Sequence, residues 1–347
     1  MPAKDVLEPG SIVLLFTIGT LYNSPLLRRR LRRHAPPTLV VDPEEPTETS
    51  PLQPGKPGSV CTRQARIAGS LGSRFLAAFP FLFEILYWNL TYWTYQLARA
   101  FTALHIRDNK SVYDRAEEHA QAILTFEQRI GLAIEKPLQQ WFLTRHPKAL
   151  PVLALIYYSH ITLTLLFLIY AYTTFPRPSY QSLRRTIASS NALAFAILSA
   201  YRTSPPRLMP PEAGYVDVLH PDPGAGSAWT NNRFQLTIAA MPSLHFGMAL
   251  FVAYCLVRWS PHAIVRLLAP LWPIAMVVTV LGTANHWVLD VLVGGCVPLI
   301  AWRTNEVWLL LRPLEEGLCW LLGVEKPLAA DVGPGEVDEE KEAERID

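Results

Sequence analysis

Long apolar runs joined by short arginine-bearing turns constrain this chain more than any other feature. Residues 149–172 read ALPVLALIYYSHITLTLLFLIYAY and contain no Asp, Glu, Lys or Arg. A helix crossing the hydrocarbon of a bilayer needs roughly 20 such residues. Comparable runs follow at Thr186–Tyr201, Ile238–Trp259, Ala263–Gly282 and Ala284–Trp302, and a long aromatic-rich one precedes at Phe75–Phe101. Half of the 347 residues are hydrophobic and only 17% are charged, and the apolar ones are gathered in runs rather than spread as stripes. That pattern excludes an ordinary soluble domain. The expected fold is all-α, a polytopic membrane helix bundle with a six-helix core and room for one extra N-terminal membrane segment.

Four regions follow from composition. Residues 1–33 hold a short apolar segment, SIVLLFTIGTLY, and a basic cluster at Arg28–Arg33. The apolar part is too short for a comfortable span, so it either tilts through Leu27 as an anchor or lies in the interface. Its positive charges follow it, which argues against a cleaved signal peptide. Residues 34–73 are expected to be a disordered Pro-rich linker, residues 74–303 the membrane bundle, and residues 304–347 a cytoplasmic helix with an acidic disordered tail. Within the bundle, His105–His146 mixes charge with apolar residues at helical spacing, as amphipathic helices on a membrane face do. Asn109-Lys-Ser there is a glycosylation sequon. Glu84 reads as an acid turned to the bundle interior.

The arginines set an orientation. With Arg28–Arg33 placed in the cytoplasm, alternation brings Arg63, Arg66 and Arg74, then Arg177, Arg184 and Arg185, then Arg258 and Arg266, and finally Arg303 to the same side. His245, His286, the loop 202–236 and His105–His146 all fall on the opposite, lumenal or extracellular side.

Those two histidines stand at the heads of apolar segments, in MPSLHFGMAL and TANHWVLDVLVGG. Ionisable groups there are costly unless used. Asp290 follows His286 by four residues, so on a helix the carboxylate shares its face and orients its ring. His245 then approaches from a neighbouring helix. Arg207, fixed behind two prolines in the loop on the same side, is the first candidate to grip phosphate oxygens. Arg202 and Arg233 are further candidates, with Asn231 and Asn232 as donors. In this reading His286 attacks phosphorus, Asp290 holds its tautomer, His245 exchanges protons with leaving and entering oxygens, and Arg207 balances charge. His160 reads as a packed or hydrogen-bonded core histidine that also borders the site.

No metal or other cofactor is required, since no carboxylate cluster suits Mg²⁺. Cys61, Cys255, Cys296 and Cys319 show neither disulfide nor zinc spacing. Basic residues lie beside apolar spans and form no broad surface, which excludes nucleic acid as a partner.

The PPRLMP, WTNNRF…AAMPSLHFG and NHWVLDVLVGG stretches resemble the membrane phosphatidic-acid-phosphatase type 2 superfamily, over about Ala116–Trp302. More closely they look like its inositolphosphotransferase branch, which includes fungal inositol-phosphorylceramide synthase. The resemblance implies a six-helix catalytic core with an extracytoplasmic active site. It also implies His286 as nucleophile, Asp290 as its partner and His245 as acid and base. The chain departs from the wider family's pattern at Ala200 (a lysine there), Leu208 (proline), Leu244 (glycine) and Thr279–Val280 (Ser-Arg). Two phosphate-binding cations are thereby lost, which favours a diester headgroup donor of lower charge. The implied partners are phospholipid and ceramide-like lipid substrates, in a Golgi, ER or vacuole-type endomembrane. A lipid phosphatase using water shares the same first half-reaction. A non-catalytic membrane protein keeping the fold is the reading from a different class, and it has no reason to retain all four site residues.

Overall fold

The computed structural model describes residues 4–27, 70–219 and 236–326. The basic cluster Arg28–Arg33, the linker up to residue 69, Cys61, Asn231, Asn232, Arg233 and the acidic tail lie outside the described residues. Among the described residues the chain is helical, with one isolated bridge between Thr203 and Ala239. The chain is an all-α bundle. It divides into one unit of residues Met1–Leu15 with Trp88–Leu309 and another of Phe16–Tyr87 with Leu310–Asp347.

The first helix, α1 (Lys4–Tyr22), has an apolar part, Pro9–Tyr22, that is shorter than a span. The stretch expected as a single span from Phe75 is two helices, α2 (Leu71–Ala78) and α3 (Phe81–Ile106). Pro80 explains the break: it has no N–H to continue the ladder and pushes Phe79 out of helical geometry. Two polar helices follow, α4 (Lys110–Arg129), which is amphipathic as expected, and α5 (Glu135–Arg145), which is not: it buries Glu135 and Gln139 beside Phe142. Then come α6 (Leu150–Thr174) and α7 (Arg177–Ala200). An irregular loop leads to α8 (Leu244–Trp259), α9 (Ala263–Leu268), α10 (Leu271–Gly282) and α11 (Val288–Thr304). The last described helix is α12 (Arg312–Leu322).

Pro147–Thr174 and Ala263–Gly282 are long and apolar enough to cross a membrane, and α2 with α3 makes a third if taken as one broken span. The chain is accordingly a membrane protein. Leu155, Ile264, Leu267, Leu271 and Ile274 point outward from these helices, as lipid-facing side chains do.

In the larger unit α11 packs along α7 and α8, and α10 lies against α8 and α6. Met276, Val280, Ala249 and Val291 fill the seam between α8, α10 and α11. The closest approach is backbone to backbone. Gly247 on α8 faces the Gly294 carbonyl on α11, and Gly294 faces the Ser243 carbonyl. No side chain fits between. The Ser243 N–H also donates to the Asp290 carbonyl at 2.9 Å, which ties the head of α8 to the first turn of α11.

In the smaller unit Ser70 caps α2 by accepting from the Ser73 N–H at 3.1 Å, and the Glu325 N–H donates to Ser73 Oγ at 2.8 Å. Glu315 on α12 accepts from both the Tyr87 hydroxyl and the Lys326 ammonium.

Candidate active site

Two helices begin later than the apolar runs suggested, and both differences build the site. Pro242 excludes helix before it, so residues 236–243 are irregular, with a single bridge from Ala239 to Thr203, and the Ala240 N–H donates to the Thr203 carbonyl at 3.1 Å. Ser243 then caps α8 by accepting from the Phe246 N–H, and His245 is the second residue of the helix. At the other head, α10 ends in a left-handed turn. Ala284 has φ +54°, the Asn285 N–H donates to the Val280 carbonyl at 2.9 Å, and the Ala284 N–H donates to Leu281 at 3.0 Å. This is the Schellman closure, with alanine where glycine is usual. It throws Asn285 and His286 into the interior before α11 begins.

His286 is 6% exposed. Its Nδ1 lies 2.8 Å from the Ala240 carbonyl oxygen and 3.6 Å from Asp290 Oδ2. A carbonyl oxygen can only accept, so Nδ1 carries the proton and Nε2 keeps the lone pair. Spacing alone pointed to Asp290 as the orienting group. The structure gives that hydrogen bond to Ala240, because the Asp290 carboxylate turns back to accept from the Trp287 N–H at 2.9 Å as the cap of its own helix. Asp290, fully buried, still faces the imidazole from one turn away and suits a positive charge developing there.

His245 stands with its ring centroid 5.9 Å from that of His286. Tyr157 stacks on it at 4.3 Å and His160 meets it edge-on at 4.4 Å. His160 is thus both a core residue, bonded through Nδ1 to the Tyr157 carbonyl at 2.8 Å, and a wall of the site.

Arg207 arrives from the loop 201–219. Its backbone N–H donates to the Ala284 carbonyl at 2.9 Å, its Nε to Asn285 Oδ1 at 2.9 Å, and its Nη1 to Asp217 Oδ2 at 2.6 Å. The same left-handed turn therefore fixes the nucleophile candidate and the cation. Gln139 pins the loop by pairing with Val216 as a strand would, accepting from its N–H at 3.0 Å and donating to its carbonyl at 2.7 Å. Trp287, fully buried, donates to the Ser204 carbonyl at 2.9 Å and clamps the loop from the other side.

The structure thus brings His245, His286, Asp290 and Arg207 to one end of the bundle. At Arg202 the backbone carbonyl accepts from His119, whose ring stacks on Tyr201 at 4.0 Å, and the side-chain Nε is buried without a hydrogen-bond partner. Arg233 and Asn232 are outside the described residues. Thr279 and Val280, at the positions of the family's Ser-Arg, are buried within α10 and bring no charge. Among the described residues no group of three or more His, Cys, Asp or Glu is placed to hold a metal.

Five residues that matter here were not singled out from sequence. Asn285 and Asp217 hold the Arg207 fork. Arg99 on α3 has a buried Nε without a hydrogen-bond partner and lies within electrostatic reach of Tyr157 and His245. A cation inside an apolar, aromatic helix was the available sign. Glu127 and Glu135 accept from the first N–H groups of α11. Glu127 had a sign in α4, where it continues the buried face of Ala116, Ala120 and Ile123; Glu135 had none, since the buried face of α5 is itself polar, with Glu135 and Gln139 beside Phe142.

Fold and site define a membrane helix bundle with two facing imidazoles and a braced guanidinium at one end. The family model described as the PAP2 superfamily matches residues 121–304, and the chain belongs to that superfamily. It is an enzyme of the phosphatase or phosphotransferase type, acting on lipid phosphate substrates. No curated protein and no solved structure matches the chain.

Proposed function

We propose that the protein is an integral-membrane lipid phosphotransferase of the inositolphosphotransferase type, working through a phosphohistidine on a lumenal or extracellular membrane face. The observation that carries the mechanism is the Ala240 carbonyl on His286 Nδ1, which leaves Nε2 as the free nucleophile. Nε2 attacks phosphorus and the P–O bond to the lipid leaving group breaks. His245 gives the departing alkoxide its proton. A lipid hydroxyl, ceramide-like in this reading, then loses its proton to His245 and takes the phosphoryl group as the P–N bond breaks. Asp290 stabilises the cationic ring in between.

Charge favours a diester donor. Arg207 already shares its guanidinium with Asp217, so it offers less than a full positive charge to a substrate. Arg99 is the second cation at hand. That balance suits a singly charged headgroup phosphate better than the dianion of a monoester. Water as the final acceptor would make the same site a phosphatase.

The test compares wild type with His286→Ala in detergent or vesicles, with EDTA present. Labelled phosphatidylinositol is offered with and without ceramide, and phosphatidic acid separately. The expected result is headgroup transfer to ceramide by the wild type alone. Phosphate release from phosphatidic acid without any transfer would replace the transferase reading by the phosphatase one. Equal inertness of both proteins on every lipid would reject both.

A further inference from the structure

α4 and α5 are charged helices outside the apolar spans, and each places one glutamate against the head of α11. Glu135 Oε1 accepts from the Val288 N–H at 2.8 Å, and Glu127 Oε1 accepts from the Leu289 N–H at 2.7 Å. With Asp290 on the Trp287 N–H, three carboxyl groups satisfy three successive donors of one helix end. His286 is the residue just before that turn. Both glutamates are buried, at 1% and 0% exposure. Their remaining oxygens, Glu127 Oε2 and Glu135 Oε2, are buried without a partner that can donate. The two carboxyls are held on adjacent backbone amides, those of Val288 and Leu289, by helices that meet at the turn at Gly131. Two buried oxygens that only accept when ionised, on carboxyls held side by side in this way, are satisfied by one proton shared between them.

We propose that Glu127 and Glu135 are a proton-sharing carboxyl pair that grips the first turn of α11 and so positions His286 for attack. The inference rests on His286 being the nucleophile, as proposed above. The pair works with one negative charge, enough to complement the helix end without mutual repulsion. Around it stand Asp290 on α11 and Tyr215 on the 201–219 loop, both acids; the Leu289 N–H favours ionisation of Glu127 but is outweighed by burial and the neighbouring acids. Burial first, and then the neighbouring Glu135 and Asp290, hold the Glu127 carboxyl up at about 8. Burial and the same two glutamates also push the Tyr215 phenol up. The sign follows from the raised value. Between the ordinary value of 4.5 and about 8 the folded chain keeps a proton that the unfolded chain releases, so stability falls as pH rises through that window and levels off above it. Above about pH 8 the second charge appears in the folded state, and the grip on Val288 and Leu289 loosens.

The test uses full-length protein with Glu127→Gln, Glu135→Gln and the double variant. A single glutamine reproduces the half-protonated pair: its carbonyl accepts from the backbone and its amide donates to the remaining carboxylate. Two glutamines set donor against donor. Each single variant should keep kcat within about threefold, and its activity should persist above pH 8 where the wild type declines. The double variant should lose kcat by on the order of a hundredfold with little change in KM, the scale of a 1 Å misplacement. Amide exchange of residues 284–293 is measured alongside, over pH 6–10. Protection should collapse with rising pH in the wild type and hold in the single variants. That readout needs no turnover, so it tests the pair even if every lipid proves inert. A double variant as active and as protected as the singles would overturn the proposal. So would an alkaline loss of protection unchanged by either single substitution.

Discussion

Replacing Gly294 by alanine tests whether the backbone contact between α8 and α11 sets the distance between the two imidazoles. A Cβ built on Gly294 lies 2.9 Å from the Ser243 carbonyl carbon and 3.0 Å from its amide nitrogen. The Ser243 carbonyl oxygen is nearer still, so the helices must part by roughly 1 Å. Neither side can yield by rotation, since the obstacle is main chain. In open space the change would stabilise α11 by about 1 kcal/mol through helix propensity. Overpacking opposes this with about 1–3 kcal/mol, so the net effect is a destabilisation of at most ~2 kcal/mol and the fold survives. The consequence for chemistry is larger. Ser243 and Asp290 are the contact points, and His245 and His286 lie two residues past one and four before the other. A displacement approaching 1 Å at reacting groups lowers rate by on the order of a hundredfold. The assay is kcat and KM for the wild type, Gly294→Ala and, as control, Gly295→Ala, with thermal unfolding of each. At Gly295 the new Cβ meets only Phe246 Cε1 at 3.2 Å and Leu250 Cδ2 at 3.6 Å, side-chain atoms that can move. Gly294→Ala should remain folded and lose kcat, and Gly295→Ala should lose little. A Gly294→Ala enzyme as active as the wild type would show that the spacing of α8 and α11 does not govern the site.

Two further outcomes follow from the same geometry. Arg99→Ala should lower kcat/KM by about 10- to 100-fold, the range of a lost charge-assisted hydrogen bond, and Arg99→Lys should recover part of it; equal kcat/KM in wild type and Arg99→Ala would remove Arg99 from the site. Asn109 is exposed at the head of α4, so in a glycosylating eukaryotic host it should carry a glycan if that end of the bundle is lumenal, read as a gel shift removed by endoglycosidase and absent in Asn109→Gln. An unmodified Asn109 beside a modified engineered sequon at the opposite end would reverse the orientation.

What sequence alone made readable follows a physical division. Helix class and the membrane environment were legible because apolar length is a local property. Asp290 does stand 3.6 Å from His286, but His286 precedes α11 and comes into reach through the turn at Ala284 rather than by spacing along a helix. The Ala240 carbonyl on Nδ1 was not legible, since it comes from 46 residues away and from main chain, which has no residue letter. The start of α11 was also hidden. Ala284 favours helix by type, and only its place as the residue closing a Schellman turn sends it to positive φ. Glu127 had a periodic sign, yet amphipathic helices usually turn their acids to water, and Glu135 had none; both became visible only against α11.

That last point bears on why α4 and α5 belong to the catalytic unit at all. A helix head buried in a bundle leaves N–H groups that lipid cannot satisfy, and a nucleophile placed there inherits whatever looseness the head has. Water would solve the first problem and worsen the second, because a hydrated helix end frays. Carboxyls brought by two neighbouring helices satisfy both requirements at once. Three acids, however, repel one another and would oppose a substrate that is itself an anion. Sharing one proton between Glu127 and Glu135 lowers that charge, and the pairing of Arg207 with Asp217 limits the opposite charge on the far side of the imidazoles. The site therefore sits near electrical balance before substrate arrives. A dianionic phosphate would upset such a balance more than a monoanionic diester, so the buried acids and the braced arginine both support the diester donor proposed above.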